Sequence, residues 1–278
     1  MKIRVSLGST AIVCLLIIGS IIFVLPFYTS TVTAFKTPAE IATSSTWSLP
    51  AHPTFSNFSE VLANPNLSFV RLFFNTCLIA FLSALGVLVS SSAVAYAFAR
   101  IKFPGRDRLF IVLLATMMLP GIVTMIPTYL LFKVFGWINT PLPLIVPSFF
   151  GGGAFNIFLL RQFFLGIPRD LDEAAILDGA SHWVIFTKVI APLSKAALAT
   201  VGVLAVIYNW RDFMAPLVYL NSPDRQTLEI GLSTYNNLKT QQWHLLMAGS
   251  VMVMIPLIIL FFFGQRFFVK GITMTGLK

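Results

Sequence analysis

Long apolar stretches separated by short polar segments dominate the sequence. Six intervals contain no Asp, Glu, Lys or Arg, and they lie between residues 4 and 36, 71 and 100, 108 and 133, 133 and 161, 195 and 211, and 239 and 266. A charged side chain at the centre of a bilayer costs about 2.5 to 3.5 kcal/mol, and a helix needs ~20 residues to cross it. The pattern therefore predicts six membrane spans, near residues 9–34, 73–99, 109–132, 142–164, 193–213 and 245–265.

The predicted spans are helices, because backbone groups in lipid must pair internally and the intervals are much longer than barrel strands. The interval after Lys195 has only 15 residues, so the ends of the fifth span are not fixed by the pattern. The first apolar run is longer than that of a signal peptide, and we interpret it as an uncleaved anchor. We expect an all-α polytopic membrane protein with six transmembrane helices, in which residues 1–278 form a single transmembrane domain.

The composition excludes a soluble or disordered chain. Of the 278 residues, 57% are hydrophobic and only 10% are charged, with a mean hydropathy of +0.86. A net charge of +9 would suggest nucleic-acid binding in a soluble protein, but here it fits the excess of Lys and Arg on the cytoplasmic side of membrane proteins. With both termini inside, 13 basic residues fall inside and 6 outside. We therefore predict both termini in the cytoplasm, membrane lipid as a partner, and no nucleic acid.

Sites for enzyme chemistry are not predicted. The two cysteines and three histidines have neither disulfide nor metal-ligand spacing, so no metal site is expected. The loops contain no Ser-His-Asp or paired-carboxylate arrangement, so no catalytic residue is assigned. The glycine cluster at residues 151–153 lacks the lysine of a G-x-x-x-x-G-K-[ST] phosphate loop. We expect a protein that is not an enzyme and does not bind ATP by that route.

Two loops stand out between the spans. The loop at residues 36–71, external in this topology, is rich in Ser, Thr, Asn and Pro, and it either contacts an external partner or simply joins two helices. The segment at residues 168–192 is too polar to cross lipid. Asp170 with Glu173 indicates a capping-box helix start, Gly179 a helix stop and Ser181 the cap of a second helix. This segment of two helices joined by a glycine turn is either a docking element for a cytoplasmic partner or a solvated surface loop.

The residues of this segment resemble the EAA loop that defines permease subunits of binding-protein-dependent ABC importers. The resemblance is carried by Glu173, Ala174 and Ala175, by Asp178 and Gly179, and by VIAP at residues 189–192, where Val and Ala stand in place of the common Ile and Leu. Other strings, in matching order, resemble the second permease of maltose-type carbohydrate importers: AYAFAR at 95–100, RQFF at 161–164, NWRDF at 209–213, RQTL at 225–228 and QRFFVKG at 265–271.

The resemblance implies a permease that forms a heterodimer with a second permease, is powered by two ATPase subunits and receives its solute from an extracytoplasmic binding protein. It also implies the cytoplasmic membrane of a bacterium or archaeon, with ATP and Mg²⁺ bound by the ATPases and no cofactor in this chain. By motif position, Glu173 meets a basic residue in a cleft of the ATPase. Gly179 supplies the bend, and Ala174 and Ala175 supply the flat surface for docking, so we call residues 168–192 the coupling segment.

Two further assignments concern the C-terminal tail and a substrate pathway. The cytoplasmic tail at 266–278, with Gly271, Thr273 and Gly276, resembles one that contacts the ATPases, and its alternative is a frayed end. The substrate pathway is assigned to Tyr208, Asn209 and Trp210, near the fifth span. The alternative for these three residues is an interfacial aromatic belt.

The solute expected from the resemblance is a mono- or oligosaccharide. Glycerol phosphate or another polyol derivative is the alternative, because related permeases share these motifs. From another class, an ion-coupled secondary transporter would explain the broken fourth interval, yet no acidic residue lies deep in a predicted span. A membrane transferase acting on lipid-linked sugars would display acidic or metal-binding residues at an interface. Co-purification with an ATPase and a second permease separates the importer from these rivals.

Overall fold

The computed structural model describes residues 7–65, 67–237 and 240–275. Apart from one short antiparallel pair of strands, Asn236–Asn237 and Thr240–Gln241, the regular structure of these residues is helical. The all-α prediction is therefore confirmed.

Four helical stretches of the described chain are long and apolar enough to cross a membrane. They are Ile12–Ala34 within the helix Leu7–Ala34, the helix Phe69–Arg100, the stretch Leu142–Leu165, and Trp243–Gln265 within the helix Trp243–Thr275. Two bent helix pairs bring the number of candidate spans to six if each pair counts as one. Each predicted span overlaps one of these elements.

The third predicted span is not one continuous helix. It consists of the helices Arg106–Thr116 and Gly121–Val134, whose axes are bent by 96°. Pro120 lies at the break, where its ring removes a backbone donor and disfavours helical geometry for the residue before it. The expectation of a single helix at 109–132 was therefore wrong.

The fifth predicted span is the helix Lys195–Trp210, shorter than the predicted 193–213. It follows the helical segment His182–Leu193 after a bend of 82° at Ser194. Within that segment an α turn at His182–Val184 leads into a π-helix at Ile185–Ile190 and a second α turn at Ala191–Leu193. Pro192 cannot donate to the preceding turn, which accounts for an irregular ladder here.

The other elements of the described chain are short. They are the helices Pro38–Thr43, Ser56–Ala63, Leu142–Ile145, Ala154–Leu165, Asp170–Leu177, Met214–Tyr219 and Leu228–Ser233, with 3-10 turns at Val146–Phe149 and Pro223–Arg225. Contacts group the chain into two compact units, one formed by residues 1–69 and 231–255 and the other by residues 70–230 and 256–278.

In the first unit, the loop after the first span is folded around a buried lysine. Lys36 is only 2% exposed, and its ammonium donates to Ser44 Oγ at 3.0 Å, Ser45 O at 2.7 Å and Ser48 Oγ at 3.1 Å. The three donors of the ammonium are thus satisfied, which a buried cation requires. Asn57 adds hydrogen bonds to two backbone carbonyls at the end of the first span.

In the second unit, the small residues of the second span pack against the fourth. A Cβ atom at Gly86 would lie 2.4 Å from Ser148 Oγ, and one at Gly152 would lie 2.6 Å from Val87 O. Ser90 Oγ donates to Ser148 O at 2.8 Å, and Ser83 Oγ donates to Leu144 O at 2.9 Å. Gly86 and Ser90 therefore allow these two spans to approach closely.

Candidate coupling site

The coupling segment has the predicted helix, glycine turn and helix. Its first helix, Asp170–Leu177, which we call the coupling helix, ends at Asp178, and Gly179 follows with a φ of +80°. The N–H of Gly179 donates to Ile176 O, and the N–H of Ala180 donates to Ala175 O, both at 2.9 Å. These two bonds form a Schellman motif, which needs the left-handed conformation that glycine adopts without strain.

The second helix of the segment begins as predicted, but the first does not. Ser181 Oγ accepts from Val184 N at 3.4 Å, as an N-cap should. The expected capping box at Asp170 and Glu173 is absent, because Arg169 is the N-cap residue and provides no side-chain cap. Asp170, Asp172 and Glu173 instead occupy the first helical turn, where carboxylates are stabilised by the helix dipole.

Most predicted ATPase-coupling residues are open to solvent. Glu173, Ala174, Asp178 and Gly179 are exposed, whereas Ala175 is half-buried. No atom lies within 4 Å of a Cβ built at Gly179. The surface around them carries large apolar side chains that nothing in the chain covers, led by Leu177 at 88% exposure, with Ile176 and Trp183 also exposed. An exposed apolar surface beside carboxylates is typical of a protein interface.

A buried ion pair holds the coupling helix against the end of the second span. Arg100 is the last residue of that span, and its Nη1 lies 3.1 Å from Oδ2 of Asp172. The side chains are 2% and 15% exposed, respectively. Sequence reasoning did not identify Asp172, because the two partners are 72 positions apart and no local spacing relates them.

Arg100 also caps the end of the fourth span. Its Nη2 donates to the backbone carbonyls of Phe164 and Ile167, the latter at 2.8 Å, and these lie at and just beyond the end of the helix Ala154–Leu165. A cation at a helix C-terminus satisfies free carbonyls and favours the dipole. One guanidinium therefore connects the second span, the fourth span and the coupling helix.

A pocket of about 320 Å³ lies beside this ion pair. Glu173 lines it together with Arg100, Asp172, Arg169 and Tyr96, among others. The second helix of the segment closes the far side, where His182 Nδ1 lies 3.4 Å from Tyr96 Oη and the ring of Phe186 packs 5.2 Å from that of Tyr96. Both helices of the coupling segment thus contact the second span.

The three predicted pathway residues do not converge. Tyr208 is 75% exposed and lines a cavity of about 560 Å³, but Trp210 is 2% exposed and packs edge-on against Phe73, with ring centroids 5.8 Å apart. Asn209 donates to Ala205 O of its own helix at 2.8 Å. Consecutive helical residues point about 100° apart, so three in a row cannot line one surface. Only Tyr208 retains the predicted position.

The predicted tail residues lie partly within the last helix. Gly271 and Thr273 belong to the helix Trp243–Thr275, and Gly276 lies outside the described residues. The described residues contain no group of three His, Cys, Asp or Glu placed to hold a metal ion.

Comparison with known proteins adds a family and a fold. The family described as "Binding-protein-dependent transport system inner membrane component" matches residues 85–274. The arabinooligosaccharides transport system permease protein AraQ of Halalkalibacterium halodurans is 35% identical to this chain. The aligned region covers 82% of this chain and 81% of that protein. The sn-glycerol-3-phosphate transport system permease protein UgpE of Rhizobium meliloti is 34% identical, covering 94% of both chains.

The fold also matches a solved structure. One chain of a bacterial ABC transporter involved in the import of the acidic polysaccharide alginate superposes with a TM-score of 0.83. The alignment covers 96% of this chain and 99% of that one at 24% identity. The two chains therefore share a fold.

The ion pair makes a first prediction about stability. Arg100→Met leaves the Asp172 carboxylate partly buried and unpaired, and we expect it to cost about 3 to 5 kcal/mol of unfolding free energy. Arg100→Met combined with Asp172→Leu removes both charges and should recover much of that loss. The thermal unfolding midpoint of each variant, purified in detergent, measures both the loss and its recovery. Asp107→Asn, which breaks the exposed Arg106–Asp107 pair, is the matched control and should shift the midpoint little. Equal shifts for the buried and exposed pairs would contradict the assignment.

Proposed function

This chain belongs to the family of binding-protein-dependent transport system inner membrane components. From that premise we propose that it is the permease subunit of an ATP-driven importer that carries a mono- or oligosaccharide into the cytoplasm. A permease of this family is a multi-pass membrane protein and a transporter component, not an ATPase. Its function implies an ATPase and a solute-binding protein as partners. In our proposal a second permease completes the pathway, the cytoplasmic membrane of a bacterium or archaeon holds the complex, and ATP and Mg²⁺ are bound by the ATPases.

The observation that carries the proposed mechanism is the buried Arg100–Asp172 pair. The coupling helix exposes Glu173 and Ala174, with Asp178 exposed just after its end, and is tied through Asp172 to the end of the second span. A force applied to the exposed side reaches the span through this link, because breaking the link would leave a buried charge unpaired. The coupling segment is therefore suited to pass the movement of a partner to the bundle.

The exposed surface of the segment suits an ATPase cleft. We propose that Glu173 pairs there with a basic residue of the ATPase, while Leu177 and Trp183 bury their exposed apolar area against it. Ala174 permits close approach because its side chain is small. Gly271, Thr273 and Gly276 of the tail are proposed as a second contact with the ATPases.

A sugar is the proposed solute because a relative that is 35% identical carries the name of an arabinooligosaccharide permease. Glycerol phosphate or another polyol derivative is the second candidate, favoured by the 34% identity to a permease named for sn-glycerol-3-phosphate. Tyr208 is the residue of this chain best exposed to contact either solute, on the cavity that also contains Arg211 and Asp212. A ligand screen on the cognate binding protein distinguishes the two candidates.

Uptake assays with purified components test the class of transporter. Vesicles that contain this chain, a second permease and the ATPase should import solute only with ATP and the binding protein. Vesicles that contain this chain alone should not import it under any ion gradient. Robust uptake by the chain alone would favour an ion-coupled secondary transporter and overturn the proposal.

Glu173→Ala should uncouple ATP hydrolysis from uptake. The side chain is exposed, so its loss should leave insertion and thermal stability unchanged. We expect solute uptake per ATP hydrolysed to fall by roughly tenfold, within the usual range of coupling free energies. Asp107→Ala removes an equally exposed carboxylate outside the coupling segment and should behave as wild type. Similar uptake by both variants would remove Glu173 from the interface.

Gly179→Asp tests the turn and the docking surface together, and Gly179→Asn separates them. Asp and Asn tolerate a φ of +80° better than most other residues, and a Cβ at this position would meet no atom of a non-adjacent residue within 4 Å. The added charge of Asp should obstruct the ATPase and lower uptake further than Asn does, with insertion intact for both. Full transport by the Gly179→Asp complex in vesicles would exclude the segment as the coupling site.

A further inference from the structure

A second pocket, on the other side of Arg169, is strongly basic. It has a volume of about 460 Å³ and lies where the second span gives way to the helix Arg106–Thr116. Four of its lining residues are cationic and one is anionic: Lys102, Arg106, Arg108, Arg169 and Asp107. This gives the pocket a formal excess of three positive charges in a chain where only 10% of residues are charged. The excess of Lys and Arg on the cytoplasmic side accounts for basic residues in this region but not for four of them around one cavity, where a bound anion would balance their charge.

We propose that this pocket binds the phosphate of an acidic phospholipid headgroup, such as phosphatidylglycerol. Basic pockets between membrane helices are suited to anionic headgroups. The helix that begins at the pocket also offers the apolar surface that an acyl chain requires, since Leu109, Ile111 and Val112 are all more than half exposed. A soluble phosphate compound would make no use of that surface, and this argues for a lipid as the source of the phosphate.

The backbone of the pocket supports the same ligand. Gly105 is the N-cap of the helix Arg106–Thr116, with a φ of +78°, and provides no side chain to cap the free N–H groups. Free N–H groups and the positive end of the helix dipole favour an anion there. Asp107 is the competing anion, because its Oδ1 lies 3.0 Å from Arg106 Nε. A bound phosphate would replace Asp107 as the partner of the Arg106 guanidinium.

The pocket shares two residues with the coupling site. Lys102 and Arg169 line both this pocket and the pocket beside Glu173, and Arg169 is the N-cap residue of the coupling helix. A headgroup phosphate bound between them would fix the start of that helix at the membrane surface. The lipid site stands on its own, however, because it requires only that the chain lies in a bilayer and not that it belongs to an importer.

Native mass spectrometry of the purified full chain in detergent tests the site. We expect titration with phosphatidylglycerol to give a saturable lipid adduct that phosphatidylcholine does not give. Arg106→Gln with Arg108→Gln should weaken that binding about 30-fold, since each basic residue near an anionic lipid contributes about one factor of five. The matched control is Lys188→Gln with Lys195→Gln, which removes two exposed charges outside the pocket and should change binding little. Equal weakening in the two double variants would overturn the proposal.

Two further measurements keep the test decisive. Asp107→Asn removes the competing carboxylate without disturbing the fold, and it should tighten phosphatidylglycerol binding; weaker or unchanged binding contradicts the proposed geometry. An excess of glycerol phosphate or inorganic phosphate should leave the lipid adduct in place. If either soluble compound displaces the lipid, the pocket is a site for free phosphate and the lipid assignment is wrong.

Discussion

One guanidinium, that of Arg100, holds the cytoplasmic end proposed for this bundle together. It is almost fully buried, so its charge must be balanced; both of its terminal nitrogens have partners, whereas its buried Nε has none among the described residues. Asp172, which lies on the coupling helix, balances the charge of the guanidinium at Nη1. The carbonyls of Phe164 and Ile167 accept hydrogen bonds from Nη2. The planar fork of donors lets one arginine side chain reach acceptors on two neighbouring segments at once. The second span, the fourth span and the coupling helix are thereby fixed to one another.

The coupling segment divides its residues between two tasks. Those that face inward, such as Asp172, Ile185 and Ile190, are fully or largely buried and fix its position, whereas Glu173, Leu177 and Trp183 are left exposed. The glycine turn permits this division, because a Schellman motif reverses the chain without using any side chain. A phosphate bound in the proposed lipid pocket would also hold the start of the segment at Arg169. A short segment can thus be held firmly by the bundle and still present a surface to a partner.

Local signals in the sequence predicted what local chemistry determines. The apolar intervals indicated six candidate spans, and Gly179 and Ser181 indicated the turn and the second helix start, because caps and breaks act over a few residues. Features that depend on tertiary contacts were missed. The partner of Arg100 is 72 positions away, and the burial of Trp210 depends on Phe73 from another helix. The 96° bend at Pro120 was also missed, since an apolar interval carries no information about the direction of its axis.

The central claim is that the coupling helix and the end of the second span move as one body. Spin labels at Lys102→Cys and Leu177→Cys, both exposed positions, measure the distance between them once Cys14 and Cys77 are replaced by Ala. In the assembled transporter, pulsed electron paramagnetic resonance should give the same narrow distance distribution without nucleotide and with ATP bound, and a broader one after Arg100→Met. A distance that shifts between the two nucleotide states while Arg100 and Asp172 are intact would contradict the account.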